Sequence, residues 1–287
     1  MALLRYPGGK TRLIKNILPI LAPMIGPYQY VEPYTGGGSV ALKIATMYPE
    51  KKIILNDGDP DVANLWAVVS GQAGEPAFRA LCQHVERSKE PTDDSARRLD
   101  YWNIIRNSNP EEPAKRAFRY LFLNKTCFGG QIDQSPMGGW RQRGWRGRGN
   151  RGLACQYTVS RILLELHKAH DLLKGRTRVK NVDGLRLLMS LTPPFAGYID
   201  PPYFPGQQNR LYRCGMTARQ HVALAAFLQE CPSSWLLSYD DSEAVRVLYQ
   251  WAWIFPLAAK YSQGPRKTKW KSKTELLIAR APIQARV

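Results

Sequence analysis

Two hydrophobic patterns alternate along most of the chain. Apolar residues that recur every three to four positions predict helices, and compact apolar runs between turn residues predict buried strands. The predicted helices cover residues 13–21, 39–47, 160–173, 217–229 and 241–251. The predicted strands cover residues 29–32, 51–55, 234–238 and 275–279, with a further strand that ends at residues 198–200. This alternation is typical of an α/β domain.

The pattern changes in the middle of the chain. From about residue 61 to residue 124, helical spacing continues and strand signals fade. Residues 128–150 are rich in Gly, Gln, Arg and Trp, which predicts an exposed loop or hairpin rather than core. We therefore expect a catalytic α/β domain formed by residues 1–60 and 156–287, interrupted by a mainly helical insert at residues 61–155.

Composition narrows the class of protein. The 287 residues are 44% hydrophobic, which is enough for a substantial core. The formal net charge of +18 favours a polyanionic partner, and nucleic acid is the usual one, although a general preference for arginine would also raise the charge. No apolar run approaches 18 residues, so we expect no membrane span. The five cysteines form no CxxC pair, so we expect a reducing cytoplasm and neither disulfides nor a zinc site.

A glycine-rich loop follows the first predicted strand. Gly36, Gly37 and Gly38 lack side chains, so the backbone there can turn tightly and approach a ligand. Asp57 ends the next predicted strand, 19 residues after Gly38, where an acid commonly accepts hydrogen bonds from ribose hydroxyls. Ala41 stands at the third glycine position of the dinucleotide pattern, so this pattern is not fully met. The loop predicts a nucleotide-like cofactor.

A second glycine segment, Gly9-Lys10-Thr11, could suggest a phosphate-binding loop. That loop requires a glycine five positions before Gly9, where this chain has Leu4, and no strand precedes it. An ATPase is therefore not favoured.

Asp200-Pro201-Pro202-Tyr203 follows an apolar strand. By itself this tetrapeptide could simply be a proline turn at a strand end. Its chemistry also suits a conjugated amino group, which is a poor nucleophile. A carboxylate and a fixed backbone carbonyl can accept its two N–H groups, and the proline rings restrict the direction of that carbonyl. The tyrosine ring offers a stacking face for an extruded base. This chemistry requires no metal.

Taken in order, these segments resemble the Dam-type family, the D12 class alpha group of adenine-N6 DNA methyltransferases. The resemblance runs nearly end to end. It rests on residues 5–10 (RYPGGK), 31–40 (VEPYTGGGSV), 54–57 (ILND), 200–203 (DPPY), 236–241 (LLSYDD) and 273–278 (KTELLI). It implies a Rossmann-like class I S-adenosylmethionine (SAM)-dependent methyltransferase sheet with a helical target-recognition insert.

The resemblance also implies roles for individual residues. The implied SAM contacts are Tyr6, Lys10, Glu32, Pro33, Gly36, Gly38, Asp57, Asp183 and Asp200. The implied catalytic residues are Asp200, Pro201, Pro202 and Tyr203. No metal is expected.

The family's DNA-contacting stretch resembles residues 121–130. Members that methylate GATC usually have Tyr-Asn-Gly there and an arginine five positions after the tyrosine, whereas this chain has Phe128-Gly129-Gly130 and Asp133. A carboxylate cannot donate to guanine as arginine does, which argues against GATC as the recognised site. Two basic segments that contain tryptophan, residues 140–151 and 266–273, suit phosphate contact and base stacking. The predicted DNA-binding residues are Lys125, Phe128, Arg141, Arg143, Arg146, Arg148, Lys267 and Lys269.

The sequence thus predicts methyl transfer from SAM to adenine N6 in double-stranded DNA, by a cytoplasmic protein that is expected to be monomeric. Three alternatives stay open: transfer to cytosine N4, transfer to RNA adenine, and a catalytically inactive DNA-binding relative. A dinucleotide oxidoreductase is less favoured, because it would leave residues 200–203 and the basic insert unexplained.

Overall fold

The computed structural model describes residues 3–5, 9–94, 97–127, 130, 132, 135, 137, 157–203, 214–260 and 272–280, with backbone alone for 258–260 and 272–273. Several predicted site residues lie outside the described residues: Tyr6, Phe128, Arg141, Arg143, Arg146, Arg148, Lys267 and Lys269. No helix in the described part is long and apolar enough to cross a membrane.

The described chain contains strands β1–β7 and helices α1–α11, with a short 3₁₀ helix at Lys10–Arg12. The strands are β1 (Gln29–Glu32), β2 (Ile53–Asn56), β3 (Thr177–Lys180), β4 (Phe195–Ile199), β5 (Ser234–Asp240), β6 (Trp253–Lys260) and β7 (Ser272–Ala279). The first helices are α1 (Ile14–Ile25), α2 (Ser39–Met47), α3 (Pro60–Val69), α4 (Glu75–Arg87), α5 (Lys89–Asp93) and α6 (Arg98–Asn107). They are followed by α7 (Pro113–Thr126), α8 (Val159–Leu173), α9 (Gly184–Ser190), α10 (Ala218–Glu230) and α11 (Glu243–Leu248).

The chain forms two compact units. The first contains residues Met1–Gly9, Gly36–Glu50 and Asp59–Asn181, and therefore β3 and helices α2–α8. The second contains residues Lys10–Thr35, Lys51–Gly58 and Val182–Val287, and therefore the other six strands. The predicted boundaries of the DNA-recognition insert, residues 61–155, rest on function rather than compactness and stay a prediction.

The sheet of the second unit has the strand order β2-β1-β4-β5-β7-β6. β1, β2, β4 and β5 run parallel, whereas β7 is antiparallel to both of its neighbours. The carboxyl ends of the parallel strands meet at one edge, where open α/β sheets bind their ligands. The predicted α/β, Rossmann-like fold class is confirmed.

Strand alternation divides the side chains of this sheet between two faces. One face carries apolar residues such as Val31, Ile199 and Leu237, which form a buried cluster with residues of α9, α10 and α11. The opposite face carries the polar residues Tyr198 and Ser238 at strand ends, and helix α1 packs against β4 and β5. Polar groups are thus collected at one end of one face, while the other face is core.

The first unit has a helical core. Helix α7 packs against α3, α4 and α6, and α8 packs against α2, α3 and α4. Trp66 and Phe122 are among its largest fully buried side chains. Phe78 of α4 stacks on His170 of α8, with ring centres 3.8 Å apart. This packing agrees with the predicted helical spacing between residues 61 and 124.

Most predicted elements are present with shifts of a few residues. β1 and α2 have the predicted bounds, and β4 ends at Ile199, directly before Asp200. The predicted helix at 241–251 is shorter, since α11 ends at Leu248. Among the described strands and α-helices, β3, α9 and β6 were not predicted. β6 carries Pro256, which weakens its strand pattern.

Candidate active site

Asp200 lies directly after β4, on the sheet face that also carries Tyr198 and Ser238. Its Oδ1 accepts a 2.8 Å hydrogen bond from Lys10 Nζ and a 2.9 Å hydrogen bond from Ser238 Oγ. The side chain is 22% exposed. The carboxylate is therefore held by two donors on one oxygen while part of its surface stays accessible.

Lys10 reaches this position from the 3₁₀ helix that precedes α1, which packs on the same strands. Its side chain is only 2% exposed. Besides Asp200, its ammonium group lies 3.5 Å from Oε2 of Glu275 and 5.6 Å from the ring centre of Tyr203. A buried ammonium group requires such partners, since an isolated charge would be too costly to remove from water.

Glu275, near the middle of β7, completes the cluster. Its side chain is fully buried, and Oε1 accepts a 3.3 Å hydrogen bond from the hydroxyl group of Tyr203. Tyr203 itself is buried, as is Pro201, whereas Pro202 is half-buried. The four residues Asp200, Lys10, Glu275 and Tyr203 are therefore joined in one chain of polar contacts.

The electrostatics of the cluster follow from burial and from its two carboxylates. Burial raises the pKa of Asp200; the Lys10 ammonium group opposes this increase, and the Glu275 carboxylate adds to it. Burial alone would lower the pKa of Lys10, but Asp200, Tyr203 and Glu275 outweigh it and hold that pKa well above its usual range. Lys10 therefore stays charged, and Asp200 depends on it to stay ionised.

Behind Asp200 lies a pair of buried hydroxyl groups. Tyr198 Oη and Ser238 Oγ are 3.0 Å apart. Since Ser238 donates its proton to Asp200, Tyr198 is the donor within the pair. Burial, and then the Asp200 charge, raises the pKa of Tyr198 well above its usual range, which keeps this donor protonated.

Asn56, at the end of β2, fixes two loops beside the sheet. Its Nδ2 donates to the carbonyl oxygens of Pro33 at 2.8 Å and Val182 at 3.0 Å, and its Oδ1 accepts from the Val182 amide at 3.0 Å. Its backbone amide donates to Thr35 Oγ1 at 3.0 Å. One buried amide side chain thus sets the positions of the loops that follow β1 and precede α9.

Three of the predicted cofactor acids lie at or beyond strand ends in the second unit. Glu32 ends β1, is buried and accepts a 2.6 Å hydrogen bond from Tyr30 Oη. Asp57 follows β2 and is buried. Asp183 is exposed and caps α9, since its Oδ1 accepts a 3.0 Å hydrogen bond from the Arg186 amide. Asp183 therefore stabilises the start of α9, independently of any contact with a cofactor.

Tyr34, in the loop after β1, packs closely against the start of α9. A Cβ atom placed on Gly184 would collide with the ring of Tyr34. Glycine at this position therefore allows the loop after β1 to approach α9 at the edge that carries Asp183.

Gly36 and Gly38 belong to the first unit, where Trp66 of α3 supports them. Trp66 Nε1 donates a 3.0 Å hydrogen bond to the Gly36 carbonyl. Gly38 has φ +62°, and a Cβ atom there would lie 2.6 Å from Cη2 of Trp66. Both the backbone conformation and the packing therefore require glycine at this position.

Lys125, predicted to contact DNA, lies in the last turn of α7. Its side chain is 11% exposed, and Nζ donates a 3.2 Å hydrogen bond to Glu165 of α8. Burial lowers its pKa, although Glu165 opposes the decrease. Its predicted role toward DNA stays a prediction.

The residue before Lys125 ties the N-terminal segment to α7. Asn124 Oδ1 accepts from the Arg5 amide at 2.8 Å, and Nδ2 donates to the Arg5 carbonyl at 2.7 Å. Nδ2 also lies 3.4 Å from the Gly130 carbonyl. The side-chain amide group of Asn124 therefore holds the backbone of Arg5 and lies close to the carbonyl group of Gly130, which follows α7.

The structure thus brings Lys10, Asp200 and Tyr203 together, as the resemblance implies for a single site. Sequence reasoning gave no role to Glu275, Ser238 or Trp66. Glu275 had a detectable signal, because it is a single acid beside the apolar run 276–279 of a predicted strand. Ser238 and Trp66 had none, since neither stands out in its segment.

Comparison with known families places the chain among methyltransferases. The family model described as D12 class N6 adenine-specific DNA methyltransferase matches residues 6–139. This match covers a little under half of the chain. The resemblance to this family that the motifs predict is thereby confirmed.

Two curated relatives agree with this assignment. The type II methyltransferase M.MjaIII of Methanocaldococcus jannaschii is 28% identical over 137 residues, which cover 44% of this chain and 46% of the relative. The type II methyltransferase M.CviBI of Paramecium bursaria Chlorella virus NC1A is 21% identical over 248 residues, which cover 86% of this chain and 85% of the relative. The match to M.MjaIII thus spans about half of that protein, and the match to M.CviBI spans most of it.

The rRNA methyltransferase aviRa from Streptomyces viridochromogenes aligns with a TM-score of 0.39 and 14% identity, over 96% of this chain and 86% of that chain.

Proposed function

We propose that this protein transfers a methyl group from SAM to the N6 amino group of an adenine in DNA. The single observation that supports this most is the state of Asp200. It lies at the carboxyl end of a parallel strand, is held on one oxygen by Lys10 and Ser238, and is followed by two prolines and a buried tyrosine. This is the arrangement that a conjugated amino nucleophile requires.

The residues of the second unit suit the cofactor. Glu32 and Asp57 place carboxylates at the ends of β1 and β2, where they could accept hydrogen bonds from hydroxyl or ammonium groups of SAM. Pro33 is a further proposed contact, and the side chain of Asn56 fixes its position by donating a hydrogen bond to its carbonyl oxygen. Asp183, Lys10 and Asp200 of this unit are further proposed contacts. Tyr6, Gly36 and Gly38, which belong to the first unit, are proposed contacts because the family resemblance implies them. When bound, SAM supplies the methyl group on a sulfonium centre.

Asp200 and the Pro201 carbonyl would accept the two hydrogens of the adenine amino group. Accepting both hydrogens favours a pyramidal nitrogen whose lone pair is free to attack. Two prolines restrict the backbone at this point, so the carbonyl cannot turn away, and Pro202 brings no competing N–H. Asp200 must be ionised to accept, and the Lys10 ammonium group favours that state.

Tyr203 would supply the stacking face for the extruded base. The ring is buried against Lys10 and tied through its hydroxyl to Glu275. Stacking on an aromatic side chain contributes about 1–3 kcal/mol per base, which helps to offset the cost of extrusion.

The DNA partner is supported by the family and by the net charge of +18. Since both relatives are type II methyltransferases, we infer that methylation is site-specific and accompanies a restriction system. Residues 128–133 differ from the family members that methylate GATC, which supports a DNA recognition sequence other than GATC.

Asp200→Ala tests the proposal. The protein is incubated with tritiated SAM and unmethylated DNA, and the product is digested to nucleosides and identified by mass. Wild-type protein should yield N6-methyl-2′-deoxyadenosine, and Asp200→Ala should lose at least about 100-fold in rate. Asp171→Ala, an exposed acid on α8, is the matched control. A product of N4-methylcytosine, activity on RNA alone, or an unaffected Asp200→Ala variant would contradict the proposal.

A further inference from the structure

Glu275 is a buried carboxylate with no step of its own in the proposed methyl transfer. Its side chain has no solvent exposure and is followed directly by Leu276–Ala279, all fully buried. An ionised carboxylate is costly to bury unless its oxygens are well paired. A charged side chain at this position therefore requires a physical reason.

The two oxygens of Glu275 face two different groups of the site. Oε1 accepts from the Tyr203 hydroxyl at 3.3 Å, and Oε2 lies 3.5 Å from Lys10 Nζ. Lys10 in turn donates to Asp200 at 2.8 Å. The first and last residues of the tetrapeptide 200–203 are thus connected through Lys10 and Glu275, as well as through the backbone.

The backbone alone does not set the direction of the Tyr203 ring. The two prolines restrict φ at positions 201 and 202, but they leave the side-chain torsions of Tyr203 free. The hydroxyl contact with Glu275 and the approach of Lys10 to the ring, at 5.6 Å, are two described contacts that restrict those torsions.

We propose that Glu275 is a positioning residue for methyl transfer, which fixes the Tyr203 ring through its hydroxyl group and holds Lys10 beside Asp200. This inference rests on the proposed function, because Tyr203 is taken there as the stacking face. Glu275 does not itself touch the substrate.

Two variants separate the two contacts. Glu275→Gln keeps an oxygen acceptor for the Tyr203 hydroxyl but removes the negative charge, and Glu275→Leu removes both. Glu243→Gln, at an exposed acid of α11, is the control for charge. For each, kcat and KM are measured with tritiated SAM and unmethylated DNA, and folding is checked by thermal unfolding.

We expect Glu275→Leu to lower kcat by about 10- to 100-fold with little change in KM, as for a misplaced reacting group. The pH dependence of kcat in Glu275→Gln is the second measurement. It would not change if Glu275 had only a structural role. Asp200 is faced by Lys10, Glu275, Tyr198 and Ser238, and Glu275 raises its pKa. Removal of the Glu275 charge should therefore shift the acid limb of kcat to lower pH.

A structure of Glu275→Leu tests the inference independently of activity. The Tyr203 ring should leave its position in this variant. A ring that keeps its place, or a Glu275→Gln protein with wild-type kcat and an unmoved acid limb, would overturn the role of Glu275. Absence of methyl transfer by the wild-type protein, with the ring displaced in Glu275→Leu, would instead refute the proposed function alone.

Discussion

The ammonium group of Lys10 donates a 2.8 Å hydrogen bond to Oδ1 of Asp200, although 190 positions separate the two residues. Lys10 is the only described cation in an ion pair with Asp200. The ionisation of the proposed catalytic carboxylate therefore depends on a residue near the start of the sequence.

This dependence predicts the pH response of a Lys10→Met variant. Removal of the cation takes away the charge that opposes protonation of Asp200, so its pKa should rise further. Since transfer requires ionised Asp200, the acid limb of kcat should move to higher pH. Lys15→Met, at an exposed lysine of α1, should leave the profile unchanged. An acid limb that stays in place in Lys10→Met would contradict this coupling.

The second donor to Asp200 predicts an order among hydroxyl variants. Ser238→Ala removes a hydrogen bond to a charged group, and the loss should lower kcat by about tenfold or more. Tyr198→Phe removes only the more distant hydroxyl group, which contacts Ser238 and not Asp200. It should therefore have the smaller effect. Rates measured at one pH above the acid limb test this order, and equal losses would refute it.

Part of this site could be predicted from sequence, because some of its residues are contiguous. The strand before Asp200, and the strand and helix on either side of Gly36–Gly38, carry their own periodicity and turn signals. The pairing of Lys10 with Asp200 could not be derived from spacing, since it depends on how α1 packs on the sheet. The prediction that Lys10 and Asp200 belong to one site came from the family resemblance. α9 was missed because seven residues are too few to establish a helical period.

The support of the glycine loop by Trp66 illustrates the same limit. Hydrophobic spacing predicts a mainly helical insert that includes Trp66, but it gives this residue no role. Only the packing of α3 reveals that its indole group contacts Gly36 and Gly38.

That contact predicts the cost of a methyl group at Gly38. Gly38→Ala should reduce both stability and SAM affinity, because φ is +62° and the new Cβ would meet Trp66. Gly175→Ala is a matched control, since φ is +75° but nothing lies within 4 Å of the new Cβ. The control should lose only the backbone term of about 1 kcal/mol. Thermal unfolding and calorimetry with SAM measure both effects. Equal destabilisation by the two variants would show that the Trp66 contact adds nothing.

Asn124 provides the last test, of the anchor on the N-terminal segment. Asn124→Ala removes one hydrogen bond from each of the two backbone groups of Arg5 and should destabilise the protein by about 2–4 kcal/mol. Asn64→Ala removes one hydrogen bond at an exposed site, to the Pro113 carbonyl, and should cost less than about 1 kcal/mol. Denaturant unfolding measures both values. Because Asn124 binds the backbone of Arg5, Asn124→Ala should also make the chain at Arg5 more sensitive to protease, and the control should not. A variant with unchanged stability and protease resistance would show that Asn124 does not anchor the chain at Arg5.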